Sequence, residues 1–201
     1  MQIKGGKGLA CISENSVLNQ TIAKILRKIP YVKYVILKKA VFLGMKQTTQ
    51  CYLERGCQYL MLHRTKKEND ENHDKWIGVG GKFEEGESPE DCMRREVREE
   101  TGFEVTAWRY CGIVTFVHNI WPAEQMHIFV CTDWTGEPIE CNEGDLEWIE
   151  KKRLLELPQW EGDKIFLRLI DEHRPFFSLK LTYEDDTLKE AVLDGEIMAR
   201  S

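Results

Sequence analysis

Residues 80–103, GGKFEEGESPEDCMRREVREETGF, predict a glycine-rich loop that leads into a helix with a capping signal at each end. Ser88 is a favourable N-cap, and Pro89 suits the first position of a helix. Asp91 stands three residues after Ser88, where an acidic side chain completes a capping box. Gly102 tolerates the left-handed backbone that closes a helix. The sequence therefore predicts a helix between these two caps.

Three acidic side chains of this helix, Glu96, Glu99 and Glu100, share one face, because positions i, i+3 and i+4 span an arc of about 100°. Like charges at this spacing destabilise a helix by a few tenths of a kcal/mol, so the cluster needs compensation. A divalent cation with hard oxygen ligands, Mg²⁺ or Mn²⁺, would supply it. A solvated acidic face is the alternative. The preceding glycines permit a tight loop that approaches a ligand closely, which favours the metal site.

The spacing resembles the Nudix box, G-x5-E-x7-R-E-U-x-E-E-x-G-U with U apolar, at every specified position from Gly81 to Phe103. The resemblance implies the Nudix fold, an α/β (α+β) architecture in which a mixed β-sheet lies between helices and a loop–helix–loop holds divalent metal. It also implies hydrolysis of a nucleoside diphosphate that is linked to another moiety. From about Lys46 to Leu193, the chain is similar to MutT-type hydrolases of oxidised purine nucleoside triphosphates such as 8-oxo-dGTP.

By this resemblance, metal ligands come from one backbone carbonyl and four carboxylates: Gly80, Glu96, Glu99, Glu100 and Glu143. Arg95 would orient the glutamates, and either Glu99 or Glu100 would accept a proton from the attacking water. The substrate-binding residues are a tryptophan that covers the base, an aspartate that contacts it, a pocket phenylalanine, two basic residues and one apolar residue: Trp160, Asp163, Phe116, Arg64, Lys82 and Ile77.

The base pocket departs from the MutT-type pattern at two positions. Ile77 stands where those enzymes carry an amide that helps to read the purine, and Gly162 stands where they carry one of two aspartates. Both changes remove hydrogen-bonding groups, which carry most of the discrimination between bases.

The expected reaction is Mg²⁺-dependent cleavage of a (d)NTP into a nucleoside monophosphate and pyrophosphate. The preferred base and sugar stay open.

Two other functions also stay open. One is hydrolysis of another pyrophosphate, such as ADP-ribose or a dinucleotide, which the products of the reaction would distinguish. The other is nucleotide sensing without cleavage. The complete set of glutamates in the box argues against a sensor, because a domain that does not cleave need not retain them all.

Charge is distributed unevenly along the 201 residues, whose formal net charge is −6. Residues 1–46 hold nine basic residues and one acidic residue, whereas the remainder holds 19 basic and 33 acidic residues. The acidic part argues against a nucleic-acid partner, because neutralisation of phosphates needs a basic surface. We expect a basic N-terminal extension over 1–44, with a helix between Ser16 and Pro30, and a hydrolase domain over 45–201.

The remaining features predict a cytoplasmic protein. No uncharged apolar run approaches the roughly 20 residues of a membrane span, and no signal peptide is visible. The seven cysteines include no C-x-x-C pair, so we expect reduced thiols. The oligomeric state is left open.

The pattern of apolar and polar residues also predicts the secondary structure. It predicts strands at 48–53, 58–63, 104–117, 126–133, 146–150, 176–183 and 188–193, helices at 89–101 and 162–172, a short helical piece at 151–157 and a polar loop at 65–75.

Overall fold

The computed structural model describes residues 45–66 and 70–200. The expected N-terminal extension and its helix lie outside these residues. In chain order the elements are β1 (Lys46–Arg55), β2 (Gln58–His63), β3 (Trp76–Ile77), α1 (Pro89–Thr101), β4 (Glu104–His118), β5 (Glu124–Thr135), β6 (Asp145–Glu150), a 3-10 helix (Lys151–Glu156), α2 (Glu161–Asp171), β7 (Phe177–Glu184), β8 (Thr187–Leu193) and β9 (Glu196–Arg200).

The strands form one mixed sheet in the order β3-β2-β1-β5-β4-β7-β8-β9, with β6 also paired to β2. The β1–β5 and β4–β7 pairs are parallel, and the other pairs are antiparallel. Two apolar clusters form around it, one containing Met93 and Val97 of α1 and the other containing Phe166 and Ile170 of α2. The predicted mixed sheet with flanking helices is therefore confirmed.

Every predicted strand and helix of the described part is present, with ends that differ by a few residues. The strand predicted at 104–117 is one continuous strand, and its pairing with β5 shifts register near Val105 and Tyr110. Strands β3 and β9 are not predicted by any pattern in the sequence. The first has two residues and the second has no buried position, so neither carries a hydrophobic pattern that would reveal it.

The caps predicted for α1 are confirmed. Ser88 Oγ accepts a hydrogen bond from the Asp91 amide at 3.1 Å, and Asp91 Oδ2 accepts one from the Ser88 amide at 3.1 Å. At the other end Gly102 has φ 78°, and its amide donates to the Arg98 carbonyl at 2.9 Å. Buried Met93 packs α1 against the sheet. These contacts fix the rotation of the helix and with it the direction of its glutamates.

The six cysteines of the described residues are free thiols, as expected. Five of them are buried, and burial raises the pKa of Cys92 and Cys111 to about 11. The thiols of Cys92 and Cys111 are therefore protonated near neutral pH. No helix in the described part of the chain has the length and apolarity that crossing a membrane requires.

Candidate active site

A cavity of about 370 Å³ opens beside the glycine-rich loop and the inward face of α1. One group of lining residues is charged or glycine: Arg64, Gly80, Gly81, Lys82, Glu96 and Glu143. A second group is mainly apolar or aromatic, with one carboxylate: Ile77, Phe116, Met126, Trp160 and Asp163. The cavity thus combines a wall that carries both acidic and basic side chains with a wall that could hold a flat ring.

Two glycines bring the backbone of the loop close to its neighbours. A Cβ atom at Gly80 would lie 2.2 Å from the carbonyl oxygen of Thr49, and φ at Gly80 is 153°. A Cβ atom at Gly81 would lie 2.4 Å from Oε1 of Glu96. Side chains at these positions would displace either strand β1 or a carboxylate of the site. Space therefore requires glycine at position 80, whereas a side chain at position 81 would move the Glu96 carboxylate.

Two of the three helix glutamates turn inward. Glu96 lines the cavity, and Glu100 is 6% exposed and accepts a hydrogen bond from the Gly80 amide at 3.0 Å. Burial raises the pKa of Glu100 to about 8, and the nearby carboxylates of Glu143 and Glu96 add to the rise. Burial also raises the pKa of Glu96, against the opposing effect of Arg95. Burial therefore disfavours the ionised form of both inward carboxylates.

The third glutamate points elsewhere. The side chain of Glu99 is 56% exposed and pairs with Arg95 at 3.3 Å. The three glutamates share one face of the helix, but their exposure differs. Glu100 is buried, whereas Glu99 lies near solvent. Among residues 45–66 and 70–200, no three acidic, histidine or cysteine side chains are already gathered as a metal site.

The residues nevertheless fit a divalent cation. Carboxylate and carbonyl oxygens are the ligands that Mg²⁺ and Mn²⁺ take, and Gly80, Glu96 and Glu143 all line the cavity. The raised pKa of Glu100 shows that ionised carboxylates are disfavoured here without a cation. A bound cation would reverse that preference, because an opposite charge favours the ionised form.

Arg95 ties the glycine-rich loop to the helix, in addition to its contact with Glu99. Its guanidinium donates to both carboxylate oxygens of Glu87 at 2.7 and 2.9 Å and to Glu96 at 2.8 Å. It also donates to the carbonyl of Lys82 at 3.0 Å. The hydrogen bonds from Arg95 hold the pKa of Glu87 at about 2. Glu87 therefore stays ionised and acts as an anchor for the loop.

Arg64 lines the cavity, but its charge is already engaged. Its Nε atom donates to Asp70 at 2.7 Å, and Nη1 makes a close ion pair with Glu143. The side chain is 11% exposed. Lys82 also lines the cavity and is exposed. Of the two predicted basic residues, Arg64 thus holds a proposed metal ligand, and Lys82 is the more accessible cation.

Trp160 forms the core of the aromatic wall. It is 7% exposed, and its ring lies 5.6 Å from Phe116 and 5.2 Å from Tyr183 between centroids. The ammonium group of Lys75 lies 4.2 Å from the centre of the indole. Asp163 follows in the first turn of α2 and is 5% exposed, and burial raises its pKa to about 7.

The two departures from the MutT-type pattern have different structural settings. Ile77 lines the cavity, where its side chain contributes an apolar surface. Gly162 does not have room for a side chain, because a Cβ atom there would lie 2.3 Å from Leu181 and 2.8 Å from the hydroxyl of Tyr183. The Gly162 amide donates to that hydroxyl at 2.7 Å. Packing against β7 therefore accounts for the glycine.

Several residues that line the cavity are not predicted as site residues by the sequence. The loop after β2 was recognised only as polar, yet it contributes Asp70, Glu71 and Asn72 to the wall. Glu124 also lines the cavity, and its Oε1 accepts a hydrogen bond from Thr48 at 2.7 Å. No local pattern marks these positions, because only the tertiary fold brings the loop and the strand ends together.

Comparison with known proteins gives a consistent result. The NUDIX domain model matches residues 47–170. An oxidized purine nucleoside triphosphate hydrolase of Danio rerio is 31% identical over 122 residues, which cover 60% of this chain and 78% of the relative. An uncharacterized Nudix hydrolase of Bacillus subtilis, YvcI, is 32% identical over 124 residues, or 59% of this chain and 75% of the relative.

A solved structure agrees with the described fold. The crystal structure of a MutT protein from Bacillus halodurans aligns with a TM-score of 0.67 and 29% identity. The alignment covers 76% of this chain and 99% of the other. The similarity therefore extends over the whole length of that protein.

Proposed function

This chain belongs to the Nudix family and is a Nudix hydrolase, and we propose that its substrate is an oxidised purine nucleoside triphosphate such as 8-oxo-dGTP. The observation that carries the proposal is the cavity that joins Glu96 and Glu143 to the wall around Trp160 and Asp163. Its volume of about 370 Å³ lies within the usual range for small-molecule sites. Relatives named for oxidised purine nucleotides support the same substrate class.

Nudix hydrolases generally use divalent metal ions, and we propose Mg²⁺ for this one, with Mn²⁺ as a substitute. The proposed ligands are the Gly80 carbonyl and the carboxylates named from the resemblance: Glu96, Glu99, Glu100 and Glu143. When bound, the metal would neutralise phosphate charge and lower the pKa of a coordinated water. Arg95 would hold Glu96 and Glu99 in place through its present hydrogen bonds.

The chain's own groups account for the remaining roles. Glu99 or Glu100 would accept the proton of the water that attacks the β-phosphorus, which releases pyrophosphate and a nucleoside monophosphate. Lys82 and Arg64 would offset charge on the phosphates. Trp160 and Phe116 would stack against the base, while Asp163 would hydrogen-bond to its edge. The raised pKa of Asp163 allows it to donate or to accept a hydrogen bond near neutral pH.

The test is a substrate panel assayed with Mg²⁺ that contains oxidised and normal (d)NTPs, ADP-ribose and dinucleotides. We expect the highest kcat/KM for an oxidised purine triphosphate, at least about tenfold above its normal counterpart, which corresponds to about 1.4 kcal/mol of transition-state binding. Pyrophosphate should appear in equal amount to the monophosphate. A flat profile across purines would contradict the proposal, and preferential cleavage of ADP-ribose would identify the alternative substrate class.

We further propose that the catalytic domain spans residues 45–201. All nine described strands lie in one sheet, and both α-helices pack against it. The basic extension predicted over 1–44 remains a prediction from charge and resemblance.

A further inference from the structure

We infer that Asn72 is a specificity-determining residue whose side-chain amide donates a hydrogen bond to a carbonyl oxygen of the bound base. The inference rests on the proposed function, since it takes the base of a nucleotide as the occupant of the cavity. Asn72 belongs to the polar loop after β2, and it lines the cavity together with Trp160 and Asp163.

The orientation of the Asn72 amide is fixed by its neighbour. Trp160 Nε1 lies 2.9 Å from Asn72 Oδ1. An indole nitrogen can only donate, so the atom that faces it must be the oxygen of the amide and cannot be its nitrogen. This assignment leaves Nδ2, with two N–H donors, on the other branch of the side chain. In the described part of the chain, Nδ2 has no hydrogen-bond partner.

The backbone of Asn72 is also held. Its amide nitrogen donates to Asp70 Oδ1 at 3.1 Å, and its carbonyl accepts from the Lys75 amide at 3.0 Å. Asp70 is in turn bound by Arg64. A side chain fixed at both its backbone and its Oδ1 atom loses little further entropy when Nδ2 binds a ligand.

The surroundings make this donor selective. Ile77, Phe116 and Met126 offer no polar side-chain atoms that could compensate a mismatched base. The other amide in the cavity wall, Gln50, already donates to the hydroxyl of Tyr52 at 2.9 Å. A base that directs a carbonyl oxygen at Asn72 gains a hydrogen bond. A base that directs an amino group there places donor against donor, and both groups lose their bonds to water.

The experiment measures binding by calorimetry with nucleoside monophosphates, which lack the anhydride bond. IMP and AMP differ in a carbonyl or an amino group at C6, and 8-oxo-AMP and AMP differ by a carbonyl at C8. For at least one pair, wild-type protein should bind the carbonyl compound about tenfold more tightly, as expected for one hydrogen bond. The pair that shows this preference identifies the carbonyl that Asn72 contacts.

Two variants separate base reading from support of Trp160, and a third variant serves as their control. Asn72→Asp keeps an oxygen for the indole N–H but has no N–H of its own, so it should lose the preference for the carbonyl compound. Its added charge repels the phosphate of every ligand equally, so the ratio of affinities is the decisive quantity. Trp160→Phe removes the indole donor, lets the amide rotate and should weaken the preference.

Asp74→Asn is the matched control from the same loop. Asp74 does not line the cavity, and asparagine can adopt its φ of 59° and still accept from His63. This variant should keep the wild-type ratio of affinities. Equal binding of both members of each pair by wild-type protein, absence of binding, or a preference that persists in Asn72→Asp would overturn the inference. If wild-type protein cleaves no purine triphosphate but its preference for a carbonyl depends on Asn72, the proposed function fails and the inference stands.

Discussion

Replacement of Glu100 by glutamine is expected to stabilise the metal-free fold while it abolishes hydrolysis. Glu100 is 6% exposed and accepts a hydrogen bond from the Gly80 amide, which a glutamine oxygen can also accept. Burial, with repulsion from Glu143 and Glu96, raises its pKa from the ordinary 4.5 to about 8. The substitution removes a charge that the fold disfavours, so function and stability are opposed at this residue.

The stability lost through ionisation of Glu100 follows from its pKa values in the unfolded and the folded chain. The unfolded chain releases the proton near pH 4.5, whereas the folded chain retains it until about pH 8, so the stability of the wild-type fold decreases as pH rises between these values. At about 1.4 kcal/mol for each pKa unit, the loss is about 1 kcal/mol at pH 5.5 and about 4 kcal/mol at pH 8. Glu100→Gln should lack this loss.

The assay is urea unfolding in EDTA at pH 5.5 and pH 8, followed by tryptophan fluorescence. The stability advantage of Glu100→Gln over wild type should grow between the two pH values. Glu99→Gln is the matched control, because Glu99 is mostly exposed, and its stability should stay within about 0.5 kcal/mol of wild type. Added Mg²⁺ should stabilise wild type more than Glu100→Gln. A difference in stability that does not change with pH, or a variant less stable than wild type, would contradict the raised pKa of Glu100.

Three further substitutions test other parts of the site. Glu99→Gln should lower turnover by orders of magnitude with an unchanged circular dichroism spectrum, and near-normal rates would remove Glu99 from the proposed machinery. Gly81→Ala should lower kcat/KM by at least about tenfold, because its Cβ atom would meet the Glu96 carboxylate at 2.4 Å; normal kinetics would show that this contact is dispensable. Gly162→Asp should lose about 2 kcal/mol or more of stability in urea unfolding through overpacking against Leu181, and an unchanged midpoint would contradict the packing explanation.

The local sequence predicted α1 and its caps well, because capping chemistry is short-range. Ser88, Asp91 and Gly102 act on atoms within four residues of themselves, so their spacing is sufficient evidence. Most strands were also predicted, because their buried positions are occupied by apolar residues that recur at regular spacing. The exposed strand β9 was missed, because no residue in it is buried.

The candidate site was predicted less completely. Helical spacing placed Glu96, Glu99 and Glu100 on one arc, but spacing alone does not show which part of an arc the sheet will cover. The structure buries Glu100 and leaves Glu99 mostly exposed. The difference arises from the packing of Met93 and Val97, which sets the rotation of the helix against the sheet.

The family, the capped helix and the identity of the clustered glutamates follow from the sequence alone, because they depend on residues that are close along the chain. Which groups share the cavity depends on the tertiary structure. It placed Asn72 against Trp160, 88 positions away, and paired Arg64 with Glu143, 79 positions away. Contacts over such separations depend on how β-strands and loops assemble, and no local pattern of charge or hydrophobicity encodes them.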